Sequence, residues 1–270
     1  MNRYIYLLTF WGAILLMGCN KKSSDIQIVD KPDVIDKNIH YTATRTPLKE
    51  FSLLQIPLGN IQAKGWLHTQ LERMTEGYTG HLYEISSFLD ENSGWLGGNE
   101  RGWEEAPYWL RGFYDLSVLT DNDRIDSVAN RWIETVINSQ GEDGYYGSTY
   151  NKMVISTSGK DSLVDLWPHM VMNDVLISHY EATNDKRIIP MMTNFFRFCN
   201  DLPDEVFLPQ MSWDYYENYR EHFGDWKPRI QMKRAGDFVP QVYWLYNHTG
   251  EDWLLDFALR TYQKTQPPLN

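Results

Sequence analysis

Glu104, Glu105, Asp165 and Asp237 are the acidic residues best placed for chemistry in this sequence. Each stands shortly before one of three similar turns, at Thr120, Thr183 and Thr249. Cleavage of a glycosidic bond commonly needs two carboxyl groups facing it, one protonated and one ionised. The same acids at helix starts would instead cap open backbone N–H groups and complement the helix dipole. His81, in Thr79-Gly80-His81-Leu82, and His169, in Trp167-Pro168-His169, face a comparable choice. An imidazole hydrogen-bonds a sugar hydroxyl at either ring nitrogen, or sits satisfied on an inner helix. Trp95, Trp103, Trp167, Trp213 and Trp226 gather in the loop regions. An indole either stacks on the apolar face of a sugar or packs in the core. The patterns His-x-x-x-His and His-Glu-x-x-His do not occur, so histidine spacing points to no metal.

The elements that position these residues repeat. Leu119-Thr120-Asp121-Asn122-Asp123-Arg124 returns as Ala182-Thr183-Asn184-Asp185-Lys186-Arg187 and, more loosely, as His248-Thr249-Gly250-Glu251-Asp252-Trp253. The threonines are 63 and 66 residues apart, and each sits between two helix-like segments. A helical hairpin of this period fits an α/α toroid better than a short solenoid repeat. Apolar spacing predicts helices over Ile61–Met74, Pro107–Leu119, Arg124–Ser139, Leu163–Ala182, Arg187–Asn200, Asp237–Tyr246 and Trp253–Gln263. Longer loops separate the hairpins: a glycine-rich one over Asn92–Asn99, one over Gly141–Gly159, and an aromatic one holding Trp213 and Trp226. The threonine turns then share one end of the stack, and the long loops share the other. The expected fold is all-α, an (α/α)6-barrel type of toroid, incomplete at its C-terminus.

Aromatic residues make up 14% of the chain, with 11 Trp, 17 Tyr and 11 Phe. The net charge of −11 argues against nucleic acid, whose phosphates need a basic face. Residues 1–19 read as a lipoprotein signal peptide: Arg3, an apolar run from Tyr4 to Met17, then Leu16-Met17-Gly18-Cys19 with Cys19 as the lipidated residue. Residues 20–46 read as a polar tether and 47–270 as the partial barrel. The expected location is the cell envelope, on a lipid anchor. Cys199, the other cysteine, lies in an apolar helical run and reads as a buried structural thiol. Two cysteines, one of them lipidated, leave no intrachain disulfide and no cysteine-based zinc site.

An ordered series of short motifs adds a resemblance. Leu58-Gly59-Asn60-Ile61, Gly65-Trp66-Leu67, Thr79-Gly80-His81-Leu82 and Ser93-Gly94-Trp95-Leu96-Gly97-Gly98 come first. Trp103-Glu104-Glu105-Ala106-Pro107-Tyr108-Trp109, Asp143-Gly144-Tyr145-Tyr146-Gly147 and Tyr243-Trp244-Leu245-Tyr246 follow. From about Leu54 to Ala258 the sequence resembles the N-terminal part of the catalytic domain of glycoside hydrolase family 127, the β-L-arabinofuranosidase-like enzymes. The resemblance implies an (α/α)6 barrel and retaining hydrolysis of terminal L-arabinofuranosides. It implies a cysteine thiolate nucleophile beside a zinc ion held by cysteines and a glutamate. Those residues belong to a later part of the barrel that has no counterpart here, so catalytic residues stay unassigned and zinc is expected only in a full-length relative. What carries over is a substrate-binding wall of His81, Trp103, Glu104, Tyr108 and His169. The expected ligand is an oligosaccharide or polysaccharide containing L-arabinofuranoside, with exo-hydrolysis if the domain is complete and no turnover by the 270-residue form. A surface glycan-binding lipoprotein and a non-functional gene fragment are the other open readings.

Overall fold

The computed structural model describes residues 42–51, 53, 55–99, 102–152, 154–155, 162–207, 231 and 233–265. Cys19, the leader, residues 20–41 of the expected tether, Trp213 and Trp226 lie outside the described residues. The fold is all-α and of the α/α-toroid type. In chain order come α1 (Trp66–Glu76), α2 (Tyr78–Ile85), α3 (Glu105–Thr120), α4 (Asp123–Asn138), the short α5 (Thr149–Lys152), α6 (Trp167–Thr183), α7 (Ile188–Asp201), the short α8 (Asp204–Phe207), α9 (Phe238–Thr249) and α10 (Trp253–Thr265). Helices α3/α4, α6/α7 and α9/α10 are the three expected hairpins. Helix α3 packs along α6, and α9 packs on both α6 and α7.

The repeated turn has a local cause. Thr120, Thr183 and Thr249 are the last residues of α3, α6 and α9. Each hydroxyl donates back to the carbonyl four residues earlier, at Leu116 (2.7 Å), His179 (2.7 Å) and Leu245 (3.0 Å). The next residue then turns left-handed: Asp121 at φ 51°, Asn184 at φ 57° and Gly250 at φ 73°. Asp, Asn and Gly are the residues that tolerate this conformation best. The amides of all three bond to the carbonyl four residues before, which closes the helix end. At the opposite ends, Pro107, Pro168 and Pro240 sit within the first three residues of the same helices. A missing N–H is harmless there, because first-turn amides have no intrahelical partner.

Burial separates the two helices of each hairpin. Helix α6 is buried around most of its circumference, with Asp174, Ser178 and Glu181 forming its partly open stripe. Helices α4 and α7 bury one face each, through Ile125, Ala129, Trp132, Ile133 and Val136 and through Ile188, Met192, Phe195, Phe196 and Cys199. One-sided burial belongs to an outer layer. The core between the layers is aromatic, with Trp95, Phe113, Trp132, Tyr146, Phe195, Phe238 and Phe257 fully enclosed.

Element ends differ from expectation where backbone geometry decides. Helix α1 starts at Trp66 rather than Ile61, behind Gly65 at φ 61°. The apolar run before Trp167 does not extend α6, because Leu163 pairs with Val154 in a two-residue antiparallel ribbon. Helix α2 was not expected; its eight residues carry too little periodicity to stand out. Thr42 to Thr46, in the stretch expected as tether, touch α9: the Arg45 amide donates to Asn247 Oδ1 (2.9 Å), and the Tyr246 hydroxyl donates to the Thr46 carbonyl (2.6 Å).

Candidate functional site

The hairpin period reappears as contacts between α3 and α6. The Trp167 indole donates to Glu104 Oε2, and Arg111 Nη1 donates to Asp174 Oδ2 at 3.2 Å. Both pairs are separated by 63 residues, so the two parallel helices lie in register. Seven residues is two helical turns, about 10 Å along the axis. One stripe of facing side chains therefore carries Glu104 and the buried Trp167 at the helix starts and, two turns further along, the more open pair Arg111 and Asp174.

Helix α9 supplies the third wall. Asp237 occupies its N-cap position and pairs with Arg234 at 3.2 Å. The Arg234 guanidinium lies over the Trp167 ring at 4.8 Å, and that of Arg111 over the Tyr108 ring at 5.3 Å. A cavity of about 290 Å³ opens between these groups, lined by Tyr108, Arg111, Trp167, Asp174, Arg234 and Asp237, with Met170, Val171 and Pro240 as its apolar floor. It lies on the N-terminal halves of three inner helices, whose unpaired amides bring partial positive charge.

The acids divide between the two roles. Asp165 is fully buried and holds structure: its carboxylate accepts the Trp103 indole N–H (2.8 Å) and the Trp167 amide (3.3 Å). Glu104 and Asp237 hold N-cap positions without a side-chain capping bond; Glu104 accepts from the Trp167 indole, and Asp237 lines the cavity beside Arg234.

The geometry divides the five residues of the expected wall. Tyr108 lines the cavity, and Glu104 stands beside it at the start of α3, bonded to Trp167. Trp103 is buried and its indole N–H is held by Asp165, so it offers a sugar no open face. His169 has no exposed surface; its Nε2 donates to the Tyr146 carbonyl (2.8 Å), and its ring stacks on Phe195. Burial lowers its pKa to about 4, so it is neutral near pH 7. His81 lies at the far end of the hairpins. It pairs with Glu84 at 2.9 Å, beside the Gly80 carbonyl that Arg124 grips at the start of α4. The 16 residues of α3 put about 24 Å between that end and the rim. Of the candidate platforms, Trp95 is enclosed and Trp167 is nearly so, its ring covered by Arg234.

Arg111, Asp174, Arg234 and Gln241 were not singled out from the sequence. The available signal was positional: Arg111 and Asp174 fall seven residues after Glu104 and Trp167, on the same helix faces. Gln241 Nε2 donates to Asp174 Oδ1 (2.7 Å), Asn173 Nδ2 donates to Gln241 Oε1 (3.1 Å), and the Tyr146 hydroxyl donates to Asn173 Oδ1 (2.7 Å). Tyr146 is brought inside by the Asp143-Gly144-Tyr145-Tyr146-Gly147 loop. Gly144 and Gly147 have φ near 90°, and a Cβ on Gly147 would strike the Trp95 ring.

A second cavity, of about 630 Å³, runs further along α9 past Tyr243, Trp244, Asn247 and His248. It is larger but less suited to a polar ligand. Asn247 already accepts from Arg45, the Trp244 indole already donates to Glu181, and His248 packs on Trp244 at 4.3 Å. Among the described residues no group of three or more His, Cys, Asp or Glu could hold a metal ion. Cys199 is enclosed, and burial pushes its thiol well above the usual range. A protonated, inaccessible thiol fits neither a zinc ligand nor a nucleophile.

Paired helices in register, with a charged and aromatic groove at the N-termini of the inner layer, define an α/α-toroid domain with an open polar groove. A family model for the β-L-arabinofuranosidase catalytic domain of glycoside hydrolase family 127 matches residues 32–267, and the chain belongs to that family. No curated protein and no solved structure matches it.

Proposed function

We propose that the groove between α3, α6 and α9 seats the terminal sugar of an L-arabinofuranoside-containing glycan, and that the 270-residue chain binds this sugar without cleaving it. Family membership supports a glycoside hydrolase-like domain for such glycans. The observation that carries the reading is the cavity itself, where the carboxylates of Asp174 and Asp237 and the guanidinium groups of Arg111 and Arg234 converge. Alternating acceptors and donors suit neutral hydroxyls, and Tyr108, 39% exposed, offers the open aromatic edge. The absence of turnover rests on the cysteines. The family chemistry described above needs a thiolate among several cysteines, and this sequence has Cys19 in its leader and the enclosed Cys199. Lipidation at Cys19 would hold the domain to the cell envelope, and a Cys19→Ser variant released from membranes would support that part.

The test is calorimetry with an L-arabinofuranosyl oligosaccharide beside an assay for released arabinose. Saturable binding without release is expected, and Asp237→Asn should weaken it about tenfold, the loss of one hydrogen bond to a charged group. Zinc-dependent release that disappears on replacing a residue of this chain would overturn the proposal.

A further inference from the structure

Asp174 is held by partners from two walls of the groove, Arg111 on α3 and Gln241 on α9. Tyr146, Asn173 and Gln241 are buried and donate in one direction, each to the next, ending on Asp174 Oδ1. Arg111 fills the other oxygen from the opposite wall. Every bond in this relay donates toward the carboxylate, which holds Asp174 as a hydrogen-bond acceptor in one orientation. The side chains of Arg111 and Asp174 remain 46% and 41% exposed to the groove. Each carboxylate oxygen keeps lone-pair capacity, and the guanidinium keeps N–H donors beyond the one spent on Asp174. A fixed acceptor beside a fixed donor matches two neighbouring hydroxyls, one donating to Asp174 and the next accepting from Arg111. A simple ether or ester on either hydroxyl removes a donor and adds bulk two turns below the rim.

We propose that the Arg111–Asp174 pair is the specificity element of the groove and reads a free vicinal diol on the seated sugar, excluding sugars substituted at those positions. Gln241 is a positioning residue that acts through Asp174. The inference rests on the sugar-binding reading above and assigns its recognition of free hydroxyls to two named side chains.

The experiment is an NMR titration of the full chain with methyl L-arabinofuranoside and with its 2-O-methyl and 3-O-methyl ethers. At least one ether should bind the wild type about tenfold more weakly than the parent, the scale of one lost hydrogen bond. Asp174→Asn should bind the parent about tenfold more weakly and no longer distinguish the ethers. Gln241→Leu should lose the same discrimination, and cooperative melting of both variants would show that folding is intact. Wild-type discrimination retained in a folded Asp174→Asn variant would overturn this proposal while leaving the sugar site standing. Equal wild-type affinity for the parent and both ethers would overturn it as well. No binding of any L-arabinofuranoside by the wild type would overturn the sugar-binding reading and this proposal together. In that case Asp237→Asn would also show no effect.

Discussion

His169 shows how one residue's surroundings outweigh its type. An imidazole on an inner helix of a carbohydrate-active domain suggests a ligand contact, yet here it is sealed among Trp95, Tyr145, Tyr146 and Phe195. Its pKa of about 4 makes a prediction about stability. An unfolded histidine titrates near pH 6.5, so the unfolded chain binds the extra proton first as pH falls. The stabilisation is complete above about pH 6.5 and is lost as pH drops towards 4, at up to about 1.4 kcal/mol per pH unit. Melting temperatures at pH 7 and pH 5 should differ less for His169→Gln than for the wild type. An unchanged difference would mean that another group controls the acid limb. Asp174 is the opposite case, an ordinary helix acid held in place by Arg111 and Gln241 from two other helices.

The hairpin is the scale at which the sequence speaks most clearly. A threonine that bonds back to its own helix, followed by a residue that accepts a left-handed backbone, ends each inner helix and reverses the chain. Asn184 at φ 57° tests this directly. Asn184→Gly should leave stability nearly unchanged, whereas Asn184→Val should cost about 1–2 kcal/mol in urea denaturation, because a branched Cβ is strained there. Equal effects from the two substitutions would show that the turn is held by something other than backbone conformation. The outer partners pair back across the same end. Tyr114 and His179 share a hydrogen bond at 2.9 Å, and His179 continues to Asp185, Arg187 and Glu134. This network ties the first hairpin to the second, so the turns align as a set.

Across the whole molecule, apolar side chains remain open on outlying helices. Trp66, Tyr78 and Ile85 are largely exposed on α1 and α2, as are Leu259 and Tyr262 on α10. Exposed apolar side chains add to association where they gather into a patch. Paired Trp66→Gln and Leu259→Gln substitutions should alter folding stability by less than about 0.5 kcal/mol, since neither side chain is enclosed. They should also raise the concentration at which the chain stays monomeric in sedimentation experiments. A large loss of stability would mean that these side chains are covered in solution. A cooperative thermal transition in the same samples would count against the reading of a gene fragment that does not fold.

The amino-acid sequence by itself determined the hairpin repeat, the all-α class, the enclosed Cys199 and the family. All of these depend on neighbours within a few residues, or on motifs that keep their order along the chain. Of the residues lining the cavity it singled out Tyr108 and Trp167, and it weighed Asp237 as either a cap or a ligand group. Only the tertiary structure separated His81 from the rim, turned Trp103 and His169 inward, and joined Arg111 to Asp174 across two helices. Whether an indole faces water or a carboxylate faces a partner depends on residues more than 60 positions away. No local spacing records that packing.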